Sequence, residues 1–230
     1  MADVIVVGFD LERTGGDPTK HAVCQIGAWA ARSSDGVHHS SFSATIGVPD
    51  GPLWEKACLD EFWENPAVPG HARLAALRRK VLDSKVTEGD AARGFADWVA
   101  SLPVERVLFA SDSVADDALW LSLALARAGL PPLTMLTGGH RCVLDVGSFL
   151  VGASRLDLAE SLRGATDKAF AALGVPRPER DKNMMHDAVE DAKDACETLL
   201  VAIRAATSEL ESPKAGSKRV PAAKKARCDG

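Results

Sequence analysis

The residues in this sequence best suited to chemistry are acids set in apolar surroundings. In "IVVGFDLERTGG", which starts at Ile5, Asp10 and Glu12 stand two residues apart at the end of an apolar run. Residues two apart in an extended chain share a face. Val6, Gly8, Asp10 and Glu12 therefore line up together, and Ile5, Val7, Phe9 and Leu11 form an equally apolar opposite face. A strand apolar on both sides reads as the buried centre of a sheet. Two like charges at its end repel each other and lose hydration, which is costly without a compensating positive charge. A bound cation would supply it; an exposed loop after the strand would also relieve the cost.

Two more acidic groups stand at helix starts. In "FASDSVADDALWLSLALA", Asp117 shares a helical stripe with Leu121, Ala124 and Ala128 and is expected to face the sheet. Asp116 lies beside Leu123 and Arg127, Asp112 precedes the helix, and Ser113 is the expected N-cap. Capping and the helix dipole also favour aspartate at such positions, so each acid alone has a structural explanation. In "HDAVEDAKDACETLL", Ala188, Asp191, Ala195 and Leu199 form one stripe of mostly small residues. The flanking alanines would let this helix approach the sheet closely. An inward-facing Asp191 with no basic residue in its own stripe needs a distant partner or a metal.

Together, Asp10, Glu12, Asp117 and Asp191 offer about four carboxylates, the ligands that Mg²⁺ and Mn²⁺ prefer. Two such ions ~4 Å apart stabilise the attacking and leaving oxygens of phosphoryl transfer. His186 precedes the Asp191 helix, where an imidazole titrating near neutrality suits a general base. A lone histidine at that place is also an ordinary surface residue.

The elements that must position these groups follow from periodicity. Val4–Asp10, Ala22–Ala31 and His38–Ile46 read as a three-strand meander. In "LWEKACLDEFWENP", Trp54, Cys58 and Phe62 recur every four residues, which predicts a helix ended by Asn65-Pro66. "HARLAALRRKVL" and "EGDAARGFADWVASL" are two further helices, "VERVLFA" is a short buried strand, and "DDALWLSLALARAGLPP" is a helix stopped by Gly129. Arg141–Asp145 is a last strand. Short helices run through Leu173 to the Pro-rich loop "GVPRPERDKNM", and a helix over about Asp187–Ser208 closes the fold. The expected class is an α/β mixed sheet flanked by helices.

Composition bounds the rest. A chain of 230 residues suits one sizeable α/β domain, placed at 1–212, followed by a disordered tail at 213–230 rich in Pro, Gly, Ala and Lys. The tail holds six of the 27 basic residues and one of the 32 acids, so the body carries about −10. Such a body argues against coating long polyanions by bulk charge, and leaves local binding at a metal site open. Five cysteines without a C-x-x-C pair suggest reduced thiols and an intracellular protein. The longest apolar segment contains Arg127 and is too short to span a bilayer, so no membrane partner is expected.

"FDLERTGG", "SVADD" and "HDAVEDA" resemble, in order and spacing, the three motifs of the DEDDh branch of the DEDD (DnaQ-like) 3′–5′ exonucleases. The resemblance implies a ribonuclease H-like fold, two divalent cations (Mg²⁺ or Mn²⁺), and single-stranded RNA or DNA 3′ ends as partners. It matches Asp10 and Glu12 to D-x-E, continued by Thr14 and Gly15, and His186, Ala188 and Asp191 to H-x-A-x-x-D. The family's middle motif is Asn-x-x-aromatic-Asp, against Ser113-Val114-Ala115-Asp116-Asp117 here. That register selects Asp117 as the third carboxylate, puts Asp116 in place of an aromatic, and leaves Asp112 as a fallback. The resemblance also implies that the backbone near Leu11 and the hydroxyl of Thr14 hold the terminal nucleotide. The sibling DEDDy group uses a tyrosine in the third motif, and this chain has none, which leaves His186 as the base. "EKACLDEFWENP" and "CVLDVGSFL" look like segments of exonucleases from large DNA viruses and phages, where Asp145 would support the site.

Two other readings stay open at this level: a catalytically weak nucleic-acid-binding adaptor on the same fold, and an endonuclease or other phosphodiesterase using the same metals. "KRVPAAKKAR" in the tail resembles a bipartite nuclear import signal and equally suits charge steering toward nucleic acid, so nucleus and cytoplasm both remain. A homo-oligomer is compatible with the sequence, because the Trp54/Trp63 segment suits either the core or a partner.

Overall fold

A computed structural model describes residues 4–103, 106–136, 143–154, 165–180 and 185–211. The tail at 213–230 lies outside the described residues, as do residues 141–142 of the expected last strand.

The strands are β1 (Ile5–Arg13), β2 (Val23–Arg32), β3 (His38–Thr45), β4 (Val107–Ser111) and β5 (Val143–Asp145). They form one sheet in the order β3-β2-β1-β4-β5. β1 pairs antiparallel with β2 and β2 with β3, whereas β4 runs parallel to β1 and β5 parallel to β4. This is the mixed sheet expected from sequence, with the apolar-on-both-sides β1 at its centre.

The helices are α1 (Lys56–Cys58), which runs on into a π-helical turn (Leu59–Trp63), then α2 (His71–Asp83), α3 (Glu88–Ala100) and α4 (Val114–Arg127). α5 (Val146–Ser154), α6 (Ala165–Leu173) and α7 (Ala188–Glu211) complete the set among the described residues. One face of β1 (Ile5, Val7, Phe9, Leu11) packs with Ala92 and Phe95 of α3 and Trp120 and Leu121 of α4. The other face begins with Val6, which packs with Ala195, Cys196 and Leu199 of α7.

The closing helix reaches the sheet because glycines on the strands meet alanines on the helix. A Cβ on Gly8 would lie 2.0 Å from the Ala192 carbonyl oxygen, and one on Gly27 would lie 2.1 Å from the Ala188 carbonyl carbon. Gly27 is the β2 partner of Asp10. The close approach therefore falls beside the acidic end of β1.

The segment after Leu53 departs from the four-residue period. One α turn gives way to the π turn, whose extra residue rotates the chain. Trp63 is buried at 1% exposure and Phe62 is left half-buried. Trp54 and Trp63 meet edge to face at 5.3 Å within a small cluster with Leu74, Leu77 and Val81. These tryptophans cover the core.

Candidate active site

β1, α4 and α7 bring the sequence-predicted acids to one end of the sheet. Ligand atoms of Asp10, Asp112 and Asp117 lie within 4.8 Å of one another, and so do those of Glu12, His186 and Asp191. Asp116 belongs to neither group. Its side chain is 60% exposed and lies 3.8 Å from the Arg13 guanidinium, which also stacks over Trp120 at 5.6 Å.

Each acid is held by the element that carries it. Asp10 and Glu12 share the β1 face that meets α7, and Glu12 is buried at 6% exposure opposite Gln25. Asp117 is buried at 1%, and the Ser111 hydroxyl donates to its Oδ2 at 2.7 Å. The same Ser111 oxygen accepts from the Ser113 N–H at 2.9 Å. Ser113 does stand at the N-cap of α4, but its own side chain makes no capping bond.

Asp191 finds the distant partner that its helix stripe lacks. Arg180, from the loop after α6, donates to Asp191 Oδ1, and its second nitrogen lies 3.6 Å from Asp194. Asp191 Oδ2 accepts from the His186 backbone N–H at 3.0 Å. His186 adopts φ +62°, the left-handed region, which costs a non-glycine residue about 1–3 kcal/mol. Its ring meets Phe62 edge to face at 4.7 Å. The π turn thus brings an aromatic residue against the candidate base.

Burial and mutual repulsion dominate the electrostatics. Burial, followed by Glu12, Asp117 and Asp191, raises the Asp10 carboxyl well above the usual carboxylate range. Burial and then Asp191 and Asp117 push Glu12 up to about 8, with Arg13 opposing. Burial pushes Asp117 up to about 6 against the Ser111 hydrogen bond and Arg13. Asp191 is raised by burial against the opposing Arg180, and His186 is lowered by burial and by Arg180. Such a cluster accepts protons or cations. Clustered hard oxygen donors with one imidazole fit Mg²⁺ or Mn²⁺.

Beside Glu12 opens a cleft of about 350 Å³ whose lining includes the apolar Leu11, Cys58 and Phe62 and the charged Glu12, Arg13 and Asp116. Thr14 is fully buried, and its hydroxyl donates to the Leu53 carbonyl at 2.5 Å and accepts from the Ala22 N–H at 2.9 Å. It fixes the turn after β1. Asp145 caps α5 by accepting from the Ser148 N–H at 2.6 Å.

Sequence reasoning did not assign Gln25, Phe62, Arg73, Ser111 or Arg180 to the site. Gln25 Oε1 accepts from the Ala188 N–H at 3.3 Å, tying β2 to the start of α7. For Arg180, the surplus of acids was the available signal: a buried carboxylate cluster calls for a cation.

No protein-family profile matches this chain, and no curated protein sequence matches it. Solved structures do. Cell-death related nuclease 4 (CRN-4) superposes with a TM-score of 0.55 at 17% identity, over 88% of this chain and 64% of that one. Exonuclease I of E. coli, in complex with a dT13 oligonucleotide, gives 0.59 at 13% identity, over 92% and 43%. The nuclease domain of 3′hExo, a DEDDh family member bound to rAMP, gives 0.56 at 10% identity, over 88% and 92%. The chain thus spans less than two thirds of the first two proteins and nearly all of the third domain. At these identities the likeness is one of fold. The architecture is a ribonuclease H-like mixed sheet, the fold these nucleases share.

Proposed function

We propose that this chain is a metal-dependent 3′–5′ exonuclease that hydrolyses terminal phosphodiester bonds of single-stranded RNA or DNA and releases nucleoside 5′-monophosphates. The observation that carries the reading is the convergence of Asp10, Glu12, Asp117 and Asp191 with His186 at one end of the sheet, in two groups whose ligand atoms each lie within 4.8 Å. Shared architecture with exonucleases supports it.

Asp10, Glu12, Asp117 and Asp191 would hold two Mg²⁺ or Mn²⁺ ions, with Asp112 available to the Asp10–Asp117 group. Bound there, such ions supply charge stabilisation to the attacking and leaving oxygens. His186 accepts the proton of the attacking water on a ring nitrogen. Burial and Arg180 hold its pKa below the ordinary value, so the imidazole is neutral near pH 7 and able to take that proton. The cleft beside Glu12 seats the terminal nucleotide. Leu11 and Phe62 face its base, Arg13 faces its anionic side, and Thr14 acts through the turn it fixes.

The test is digestion of a 3′-labelled single-stranded oligonucleotide with Mg²⁺ or Mn²⁺. The wild type releases labelled mononucleotide first, and Asp191→Ala abolishes that release. Persistent full-length substrate would favour an adaptor, internal fragments an endonuclease, and undiminished digestion by Asp191→Ala would remove this site from the reaction.

A further inference from the structure

His186 sits in the left-handed backbone region, which is uncommon for a residue with a side chain, and contacts from outside the turn help to hold it there. Besides the Asp191 carboxylate, which accepts from the His186 N–H, those contacts come from α2, an element that supplies no acid to the site. Arg73, in the first turn of α2, donates from Nη2 to Asp187 Oδ2 at 2.9 Å. Asp187 uses its other oxygen to accept from the Val189 N–H at 3.2 Å, and its carbonyl accepts from the Asp191 N–H at 2.9 Å. One carboxylate thus joins α2 to the start of α7, immediately after His186.

The residue on the other side of His186 is fixed by the same helix. Gly70 stands at the N-cap of α2 with φ +76°, and a Cβ there would lie 2.8 Å from the Met185 carbonyl oxygen. Met185 and Asp187 are therefore both seated against the N-terminal end of α2, and His186 bridges them. The Phe62 ring closes on the imidazole from the segment leading into α2.

We propose that Arg73 is a positioning residue for His186: by gripping Asp187 it locks the turn that aims the imidazole at the Glu12–Asp191 edge of the site. This rests on the exonuclease reading, in which His186 is the base. The ion pair is partly solvent-exposed, at 33% for the arginine and 24% for the aspartate, and such pairs add little to global stability. Its effect is local. The guanidinium fork sets direction as well as charge, which a lysine ammonium does not.

The experiment pairs kinetics with a signal that needs no turnover. In Arg73→Met, kcat on a single-stranded oligonucleotide is expected to fall roughly 10- to 100-fold, part of the contribution of a general base. KM and Mn²⁺ affinity stay near wild type, and Arg73→Lys recovers part of the loss. Arg73→Met combined with Asp187→Asn is no worse than the poorer single variant. In the metal-free protein, the His186 ring C–H resonance, assigned by its loss in His186→Ala, shifts or broadens in Arg73→Met. An unchanged resonance together with unchanged kcat would overturn the proposal. So would a loss confined to thermal stability, or full activity in the correctly folded Arg73→Lys together with a wild-type resonance. If the wild type digests no nucleic acid, the exonuclease reading falls, while the resonance still decides whether Arg73 holds the His186 turn.

Discussion

The two halves of the candidate site are built in different ways. Asp10 and Glu12 extend from the central strand, whose position is fixed by pairing on both sides and by apolar packing on both faces. His186 and Asp191 lie where an irregular turn meets a helix, and polar contacts from three other places hold them: Arg180, Arg73 and Gln25. The first half is rigid because the core is rigid. The second can be adjusted without disturbing the core. That division leaves Asp10 and Glu12 preorganised by the core and leaves the orientation of His186 and Asp191 to polar contacts.

Pressing the halves apart should have the largest effect. The Gly27→Ala substitution puts a methyl group where the Ala188 backbone lies, so α7 must lift away from β2 beside Asp10. Overpacking of this kind costs about 1–3 kcal/mol. Thermal unfolding should register that loss, and calorimetry should show Mn²⁺ affinity reduced about tenfold or more, since ~1.4 kcal/mol of misplacement already gives that factor. Wild-type Mn²⁺ binding in this variant would mean that the close approach of α7 does not assemble the site.

A smaller effect separates the halves by pH. In the folded, metal-free protein Glu12 is held at about 8, above its ordinary 4.5. Between those values the folded state holds more protons than the unfolded one, so stability is fully present below about 4.5, falls as pH rises, and is lost above about 8. Asp117, held at about 6, adds to the lower part of that window. The melting temperature without metal should therefore drop between pH 5 and 8. The gain on adding Mn²⁺ should grow over the same range, with protons released on binding. A melting temperature flat with pH would contradict this description of the rigid half.

The smallest effect concerns the adjustable half alone. Arg180 is a cation resting on a carboxylate that the proposed function assigns to metal. Replacing it in Arg180→Met should tighten Mn²⁺ binding a few-fold, because a competing positive charge is removed. Weaker binding would show instead that Arg180 props Asp191 in place.

How much of this was legible from sequence follows the same division. Strand parity placed Asp10 and Glu12 on one face, and helical periodicity turned Asp117 inward and put Asp191 on a face of small residues. Those are local regularities, and the fold preserves them. The single helix predicted from the Trp54, Cys58 and Phe62 spacing is instead one α turn and a π turn that breaks the 3.6-residue period, and nothing in "KACLDEFWE" marks where the extra residue enters. Ser113 stands at the N-cap as expected but makes no capping bond, and its own N–H is instead taken by Ser111 at the end of β4. Arg73, Arg180 and Gln25 act across sequence separations of 114, 11 and 163 residues. No local pattern reports such contacts.

The most direct test of the division of labour is His186→Ala, measured by Mn²⁺ calorimetry and by digestion of a 3′-labelled single-stranded oligonucleotide. Metal and oligonucleotide binding should persist while the rate falls by roughly two or more orders of magnitude, the usual contribution of a general base. Digestion at the wild-type rate by His186→Ala would contradict it.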